Sequence, residues 1–331
     1  MTNSTCFVRA FVLAGFVAAA VLPLAAGTED TIRKTFDVAP GSNLTVDINI
    51  GGIEVNGGAG SQVVIEYTRK VSAGSEEEEE RILREHVVTI DQSGDTVSIH
   101  ARGPRGGGSG GSWWRNLFGR GISRNFHLKV TVPEAMNVQL KTSGGGIDVG
   151  AITGTVKANT SGGGLDFADV TGDINGHTSG GGIDLDRCKG TVKVHTSGGG
   201  IRSSGGEGAL SVNTSGGGIT IRSHRGDVNG HTSGGGIHVD FLQQPESDCR
   251  LDTSGGGVTV TLPANVAVNL DAQTSGGGVN SELPVTVTGE HKRSQMRGTI
   301  NGGGPEVHLR SSGGSIHVKK GPSADLAELE R

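Results

Sequence analysis

Thr142-Ser143-Gly144-Gly145-Gly146-Ile147-Asp148-Val149-Gly150-Ala151-Ile152-Thr153-Gly154-Thr155-Val156-Lys157-Ala158-Asn159 is followed at Thr160 by a second Thr-Ser-Gly-Gly-Gly, and the cycle restarts. The pentapeptide occurs eight times, beginning at Thr142, Thr160, Thr178, Thr196, Thr214, Thr232, Thr253 and Thr274, and the first five intervals share one constant period of 18. A fixed period of this length marks stacked repeats, because a flexible Gly/Ser linker needs no such regularity. In a stack, one slipped residue would turn core side chains outward, so register is under strong constraint.

With Thr numbered as position 1, position 6 reads Ile147, Leu165, Ile183, Ile201, Ile219, and position 8 reads Val149, Phe167, Leu185, Ser203, Ile221. Two apolar positions separated by one polar residue predict a strand with one buried face. Position 15, Val156, Ile174, Val192, Leu210 and Val228, adds a second inward stretch. Position 13 is Gly in all five repeats, which predicts a bend with a backbone angle that other residues adopt at a cost. The Gly triplet predicts a second bend, or a close approach of neighbouring backbones. Thr and Ser before it are placed to form hydroxyl ladders from rung to rung. The expected fold is all-β: a parallel β-solenoid (β-helix-like) whose turns have a period of 18, lengthening to 21 in the later repeats, plus one short helix and a small strand region at the N-terminal end. Pro245 and Pro263 fall in the longer late turns, whose extra residues are expected to be loops. Degenerate rungs follow at 301–304 and 311–318.

Outside the repeats, 1–26 place Arg9 before an apolar run from Ala10 to Val21 and end in small residues, the pattern of a secretory signal peptide. The run is shorter than the ~20 residues of a membrane span. Residues 28–101 are expected to form N-terminal strands and an acidic helix capping the solenoid, with Ser75-x-x-Glu78 as a capping box. Residues 102–123 are a Gly-rich insertion with a Trp-Trp patch. The solenoid proper takes 124–319, and 320–331 are a tail.

Composition narrows the function classes. The 331 residues include 60 Gly and only 3% aromatics, which fits a slim aliphatic core better than two globular ones. A net charge of −5 with no basic stripe gives no footprint for nucleic acid. Beyond Cys6, the two cysteines are Cys188 and Cys249. Roughly three rungs of about 4.8 Å separate them, beyond the ~7 Å reach of a disulfide.

The order of motifs resembles a widespread bacterial domain family of unknown function labelled "putative adhesin". The resemblance rests on Phe36-Asp37-Val38 through Gly52-Ile53-Glu54-Val55, the acidic helix, Gly94-Asp95-Thr96-Val97 and Val130-Thr131-Val132-Pro133. The serial Thr-Ser-Gly-Gly-Gly-Ile-Asp-Val turns follow, then Ser281-Glu282-Leu283-Pro284-Val285 and Gly302-Gly303-Gly304-Pro305-Glu306. It covers roughly Thr31 to Lys319. It implies an exported β-solenoid and brings no catalytic residues; the tryptophan insertion departs from the pattern and inherits nothing.

Several residue sets invite chemistry. Position 7 puts Asp148, Asp166 and Asp184 on consecutive rungs, where a cation such as calcium would relieve their repulsion. Arg202, Thr220 and His238 continue the row, which favours a solvated polar face. Position 18 puts His177 and His195 on adjacent rungs, close enough to share a metal such as zinc. A polar ladder is the simpler expectation, since a structural site would want four ligands. Asp240, Glu246 and Asp248 near the first longer turn are the one place where a carbohydrate-active site could begin, because the first five turns have no insertions. No nucleophile motif, phosphate loop or cofactor fingerprint is present. Trp113, Trp114 and Phe118, flanked by glycine and by Arg115 and Arg120, are read either as a cover for the open solenoid end or as contacts for a partner.

The functional expectation is an exported, non-enzymatic, adhesin-like or structural scaffold of the envelope, located in the periplasm, at the cell surface or outside the cell. Its expected partners are an envelope protein, a glycan or a membrane surface. The alternative is a carbohydrate-active enzyme with its site on the longer late turns.

Overall fold

The computed structural model describes residues 27–103, 122–288 and 292–323. The segment expected to be a signal peptide, the patch with Trp113, Trp114 and Phe118, and most of the tail lie outside the described residues.

Before the repeats come β1 (Thr28–Asp37), β2 (Asn43–Ile48), β3 (Gly52–Gly58), β4 (Gln62–Ser72), α1 (Glu76–Glu85), β5 (Val87–Ser93), β6 (Thr96–Arg102), β7 (Ser123–Pro133) and β8 (Asn137–Lys141). Each repeat then supplies one strand from its position 6 and one from its position 15. The first set is β9 (Ile147–Gly150), β11 (Leu165–Ala168), β13 (Ile183–Asp186), β15 (Ile201–Ser204), β17 (Ile219–His224), β19 (Ile237–Phe241) and β21 (Val258–Pro263). The second is β10 (Val156–Asn159), β12 (Ile174–Thr178), β14 (Val192–Thr196), β16 (Leu210–Thr214), β18 (Val228–Thr232), β20 (Cys249–Thr253) and β22 (Val268–Thr274). The chain closes with β23 (Val279–Ser281), β24 (Thr286–Val287), β25 (Gln295–Ile300), β26 (Glu306–Ser311) and β27 (Ile316–Gly321).

Two long sheets result. Sheet A runs β1-β4-β7-β3-β9-β11-β13-β15-β17-β19-β21-β27-β23, and sheet B runs β24-β25-β22-β26-β20-β18-β16-β14-β12-β10-β8-β2-β6-β5. Repeat strands pair in parallel and in step, Ile147 on Leu165 on Ile183 on Ile201 on Ile219. A narrow third file of single bridges links Ala135, Thr153, Thr171, Lys189, Glu207 and Arg225. The inward rows of both sheets are almost wholly buried and share one core, as the alternating pattern predicts. The parallel β-solenoid expectation therefore holds.

The two glycine classes do different work. Position 13 takes positive φ throughout: Gly154 +150°, Gly172 +134°, Gly190 +116°, Gly208 +108° and Gly226 +123°. None of the triplet glycines in these five repeats does. Instead the middle glycine of each triplet faces the backbone of an adjoining turn: a Cβ at Gly145, Gly163, Gly181, Gly199 or Gly217 would lie 2.0–2.2 Å from a carbonyl oxygen there. Close stacking, and not bending, demands glycine at that place.

The threonine that opens each repeat is buried, no more than 4% exposed, and does not form the expected hydroxyl ladder. Its Oγ1 donates to the middle-glycine carbonyl of the adjoining turn: Thr160 to Gly145, Thr178 to Gly163, Thr196 to Gly181, Thr214 to Gly199 and Thr232 to Gly217, all at 2.7 Å. It also accepts from the amide of the middle glycine of its own turn, as Gly217 donates to Thr214 at 3.3 Å. A tight turn leaves a carbonyl that no ladder strand reaches, and the hydroxyl satisfies it.

Rung order departs from chain order at both ends. Ile53 of β3 stacks on Ile147 of β9, so the faint early copy of the motif is the rung beneath the first repeat. The expected late rungs do form, but β26 inserts between β20 and β22, and β27 between β21 and β23. The inserted turn obeys the same chemistry: Ser311 Oγ donates to Gly256 O at 2.7 Å, and Thr274 Oγ1 to Gly314 O at 2.5 Å.

At the N-terminal end, Ser75 caps α1 by accepting from Glu78 N at 3.3 Å. Arg69 closes its other end, donating to Leu83 O and His86 O at 3.1 and 2.9 Å. Lysine or arginine donors suit a helix C-terminus, where carbonyls lack partners.

Candidate functional site

The outer face of sheet A carries the Asp row. Registered pairs place Glu54, Asp148, Asp166, Asp184, Arg202, Thr220 and His238 on successive strands from β3 to β19. Further along the same strands run Asn56, Gly150, Ala168, Asp186, Ser204 and Arg222. Gly150 and Ala168 are small, so the surface between the rows sinks into a groove of about 610 Å3 that spans β3 to β17. Its β9–β13 end is carboxylate-lined and its far end holds Arg202 and Arg222.

Within the groove, Asp166 is held protonated longer than an ordinary carboxyl. Desolvation by the flanking rungs comes first, then a hydrogen bond with Asp148, then the charges of Asp148 and Asp184; together they push its pKa up to about 6. Asp184 has some relief from Arg202 at 3.5 Å. Glu54 is instead held below its usual range, chiefly by its hydrogen bond with Lys129 and then by His127. The row thus manages its charge through a shared proton and neighbouring bases.

On sheet B, His177 and His195 stand on adjacent strands with parallel rings, centroids 5.2 Å apart and planes within 3°. Parallel imidazoles aim their nitrogens side by side instead of at one point, which is poor geometry for a shared metal. The geometry supports the ladder.

Sequence reasoning missed a third cluster. Asp271, Glu306 and His308 bring ligand atoms within 4.8 Å of one another. Glu306 and His308 lie on β26 and Asp271 on β22, strands joined by the out-of-order insertion, so no spacing in the chain announces it. Burial would raise the Asp271 pKa, but hydrogen bonds from Arg310 and Arg297, at 2.7 and 2.9 Å, outweigh it and hold the carboxylate low. Two guanidiniums already neutralise the group that a cation would need.

Two of the three late-turn carboxylates, Asp240 and Asp248, have structural duties, and Glu246 contributes its backbone amide. Asp240 pairs with His238 at 3.1 Å on the sheet A face. Asp248 accepts from Glu306 N at 2.8 Å, and the Glu246 amide donates to Asp227 at 2.9 Å. Asp240 lies on β19 in sheet A and Asp248 precedes β20 in sheet B, so these two carboxylates sit on different sheets, whereas glycoside hydrolysis uses a pair flanking one bond. Cys188 and Cys249 are free and buried, and burial pushes both thiols up to about 11, where little thiolate forms.

Two further features left no plain trace in the sequence. Position 10 is left-handed in all five repeats, at Ala151, Asp169, Arg187, Gly205 and Ser223, with φ of 49–63°. In that ridge Arg187 holds Asp169 with two bonds, Nε–Oδ1 at 2.7 Å and Nη2–Oδ2 at 2.8 Å. His224 occupies the buried position 11 where Ile152, Val170 and Cys188 sit. It fits because its neighbour is Gly206, whose Cβ would lie 3.0 Å from His224 Nδ1.

Among solved structures, the chain is similar to a putative adhesin from Bacteroides fragilis (12% identity, 88% of this chain and 97% of that one, TM-score 0.39). It is also similar to a putative lipid binding protein from Parabacteroides distasonis (10%, 89% and 98%, 0.37) and a putative cell adhesion protein from Clostridium sporogenes (12%, 88% and 100%, 0.23). Likeness at these levels carries no functional argument. No curated protein matches the chain. A family model described as Toastrack DUF4097 matches residues 43–319, from the start of β2 into β27, and the chain belongs to that family.

Proposed function

We propose that the protein is an exported, non-enzymatic solenoid that acts as an adhesin-like scaffold of the cell envelope, presenting its outer sheet faces to an extended partner such as a glycan or an envelope protein. The observation that carries this reading is the groove on sheet A, which runs across the strands and steps from one rung to the next at about 4.8 Å. Such a surface suits a linear ligand lying along the stack. The buried thiols and the engagement of Asp240 and Asp248 in structural bonds support a non-enzymatic reading.

A glycan array and an envelope pull-down, run beside a hydrolysis and lyase screen on the same polysaccharides, test the reading. Binding without product, weakened by filling the groove with Ala168→Trp, is expected. Product formation lost in Asp240→Ala or Glu246→Ala would replace the scaffold with the enzyme.

A further inference from the structure

At the N-terminal end the inward row of sheet A turns polar. On β4 it reads Val63, Ile65, Tyr67, Arg69, and on β7 Val130, Leu128, Phe126, Arg124. Arg69 faces Phe126 across the ladder, and Arg124 follows on the same row. His86, which ends α1, sets its ring against both aromatics, 4.6 Å from Phe126 and 5.9 Å from Tyr67 between centroids. Its carbonyl accepts from Arg69, and the charges of both arginines act on its imidazole, so the four polar residues adjoin.

These four hold five of the seven buried side-chain nitrogens and oxygens that lack a hydrogen-bond partner among the described residues: Tyr67 Oη, Arg69 Nε, both ring nitrogens of His86, and Arg124 Nε. The other two, on Ser42 and His224, stand singly. Tyr67 is 0% exposed and His86 3%, too deep for bulk water to serve them. Native interiors hold few such orphans because each costs the desolvation of its group, so a cluster of them points to a partner from outside the chain. The chemistry of that partner can be read from the groups that await it. Both Nε–H groups only donate, and the hydroxyl and one imidazole nitrogen can donate too, so an acceptor-rich guest is called for. Charge points the same way. Asp30 holds Arg69, and Glu79, the buried carboxylate of α1, is taken by Thr28 and Ala73. Arg124 has neither an ion pair nor a hydrogen bond among the described residues.

We propose that this cluster is a binding site for a small oxyanion, a phosphate-like or carboxylate group held by Arg124 and Arg69 with Tyr67 and His86 donating to it. Water would serve the hydroxyl and the imidazole but leave the second guanidinium without a counter-charge, whereas an oxyanion brings several acceptors and the charge together. Arg124 is half-buried, so the way in lies along its side chain. The three rings wall the inner side, which favours a small guest over an extended one. The site lies on the inward face of β4 and β7, apart from the groove on the outer face, so its failure would leave the adhesive reading untouched.

Thermal melting of the purified chain in inorganic phosphate, with ionic strength held constant by chloride, tests it. The wild type should gain Tm along a saturating mass-action curve between about 0.1 and about 20 mM phosphate. Phosphate also stabilises any fold by exclusion from its surface, without saturating, so variants decide. Arg124→Gln breaks no bond among the described residues and should weaken the apparent affinity about tenfold or more. Tyr67→Phe deletes one orphaned hydroxyl; it should leave the anion-free chain at least as stable and weaken the affinity about tenfold. Arg222→Gln, exposed on the outer groove, should match the wild type. Separate titrations with sulfate and acetate tell a tetrahedral guest from a carboxylate. Glycerol 1-phosphate tells a free ion from the end of a larger molecule: affinity equal to phosphate assigns an esterified group, and lost affinity a free ion. Melting curves that are the same in phosphate, sulfate and acetate as in chloride overturn the proposal and leave ordered water as the occupant. So does a saturating gain that either Arg124→Gln or Tyr67→Phe keeps in full.

Discussion

Replacing Gly145 by Ala should wreck a turn that replacing its neighbour Gly144 leaves intact. A methyl at Gly145 would stand 2.0 Å from Gly51 O, 2.3 Å from Gly51 C and 2.5 Å from Gly52 N, all of them backbone atoms with no rotamer to yield. Ordinary contact begins at 3.4 Å, so the two turns would have to part appreciably. Two bonds cross that junction, Thr142 Oγ1 to Gly51 O at 2.9 Å and Ile53 N to Gly146 O at 3.0 Å. Losing them costs about 2 kcal/mol at ~1 kcal/mol each, and the overpacking adds about 1–3 kcal/mol, so roughly 3–5 kcal/mol is expected in total. At Gly144 nothing lies within 4 Å and φ is not positive, so alanine there should be neutral or slightly stabilising, by about 0.4–1 kcal/mol through the unfolded chain. Urea denaturation followed by far-UV circular dichroism measures both, with hydrogen exchange showing whether the loss is local, since repeat arrays need not unfold as one unit. If the two variants prove equally stable, the close-approach account of the triplet is wrong.

Thr214→Val deprives Gly199 O of its 2.7 Å donor inside the core and should cost about 1–3 kcal/mol, whereas Thr214→Ser should recover most of it in the same denaturation assay. Asp166→Asn should stabilise the fold at neutral pH by roughly 1 kcal/mol after allowance for solvent screening. The sign follows from a folded-state pKa raised to about 6: the ionised form is disfavoured above it, and the gain should vanish below about pH 4, where Asp166 is protonated in both states. His86 responds in the opposite sense. Burial first, then the charges of Arg69 and Arg124, push its pKa down to about 4, so its contribution is full above pH ~6.5 and fades as pH falls through 4. His86→Phe should flatten the acid limb of a stability–pH curve by up to about 3 kcal/mol, and an unchanged limb would contradict the assignment.

The repeat made most of this architecture legible. Aliphatic residues at positions 6, 8 and 15 predict the inward rows, and the recurrent glycine at position 13 predicts its positive φ. What escapes depends on which strands become neighbours or on backbone geometry that leaves no compositional trace. Asp271 and His308 lie far apart in the chain and meet only because β26 is inserted beside β22. Asp169 and Arg187 adopt left-handed geometry that glycine signals in only one of the five repeats, at Gly205, since position 10 also takes Ala, Asp, Arg and Ser. His224 reads as a polar residue in an apolar column until Gly206 opposite it is seen to make room. The importance of the threonine is legible but its partner is not, because the carbonyl it serves belongs to the turn before, Gly199 for Thr214.

The inserted rung also sets a timetable. A chain emerging N-terminus first can lay β9 through β21 in order, each strand settling on the one before it, as nearest-neighbour stacking allows. Strand β22 has no such berth when it appears; its parallel neighbour is β26, which begins only at Glu306. The segment from Val268 onward must therefore wait unpaired on that side until the last rung arrives and slides between two turns already made. Closure at this end is a late, long-range event of the kind that slows folding. Once made, it leaves β26 and β27 locked inside the stack, each held between two strands that precede it in the chain.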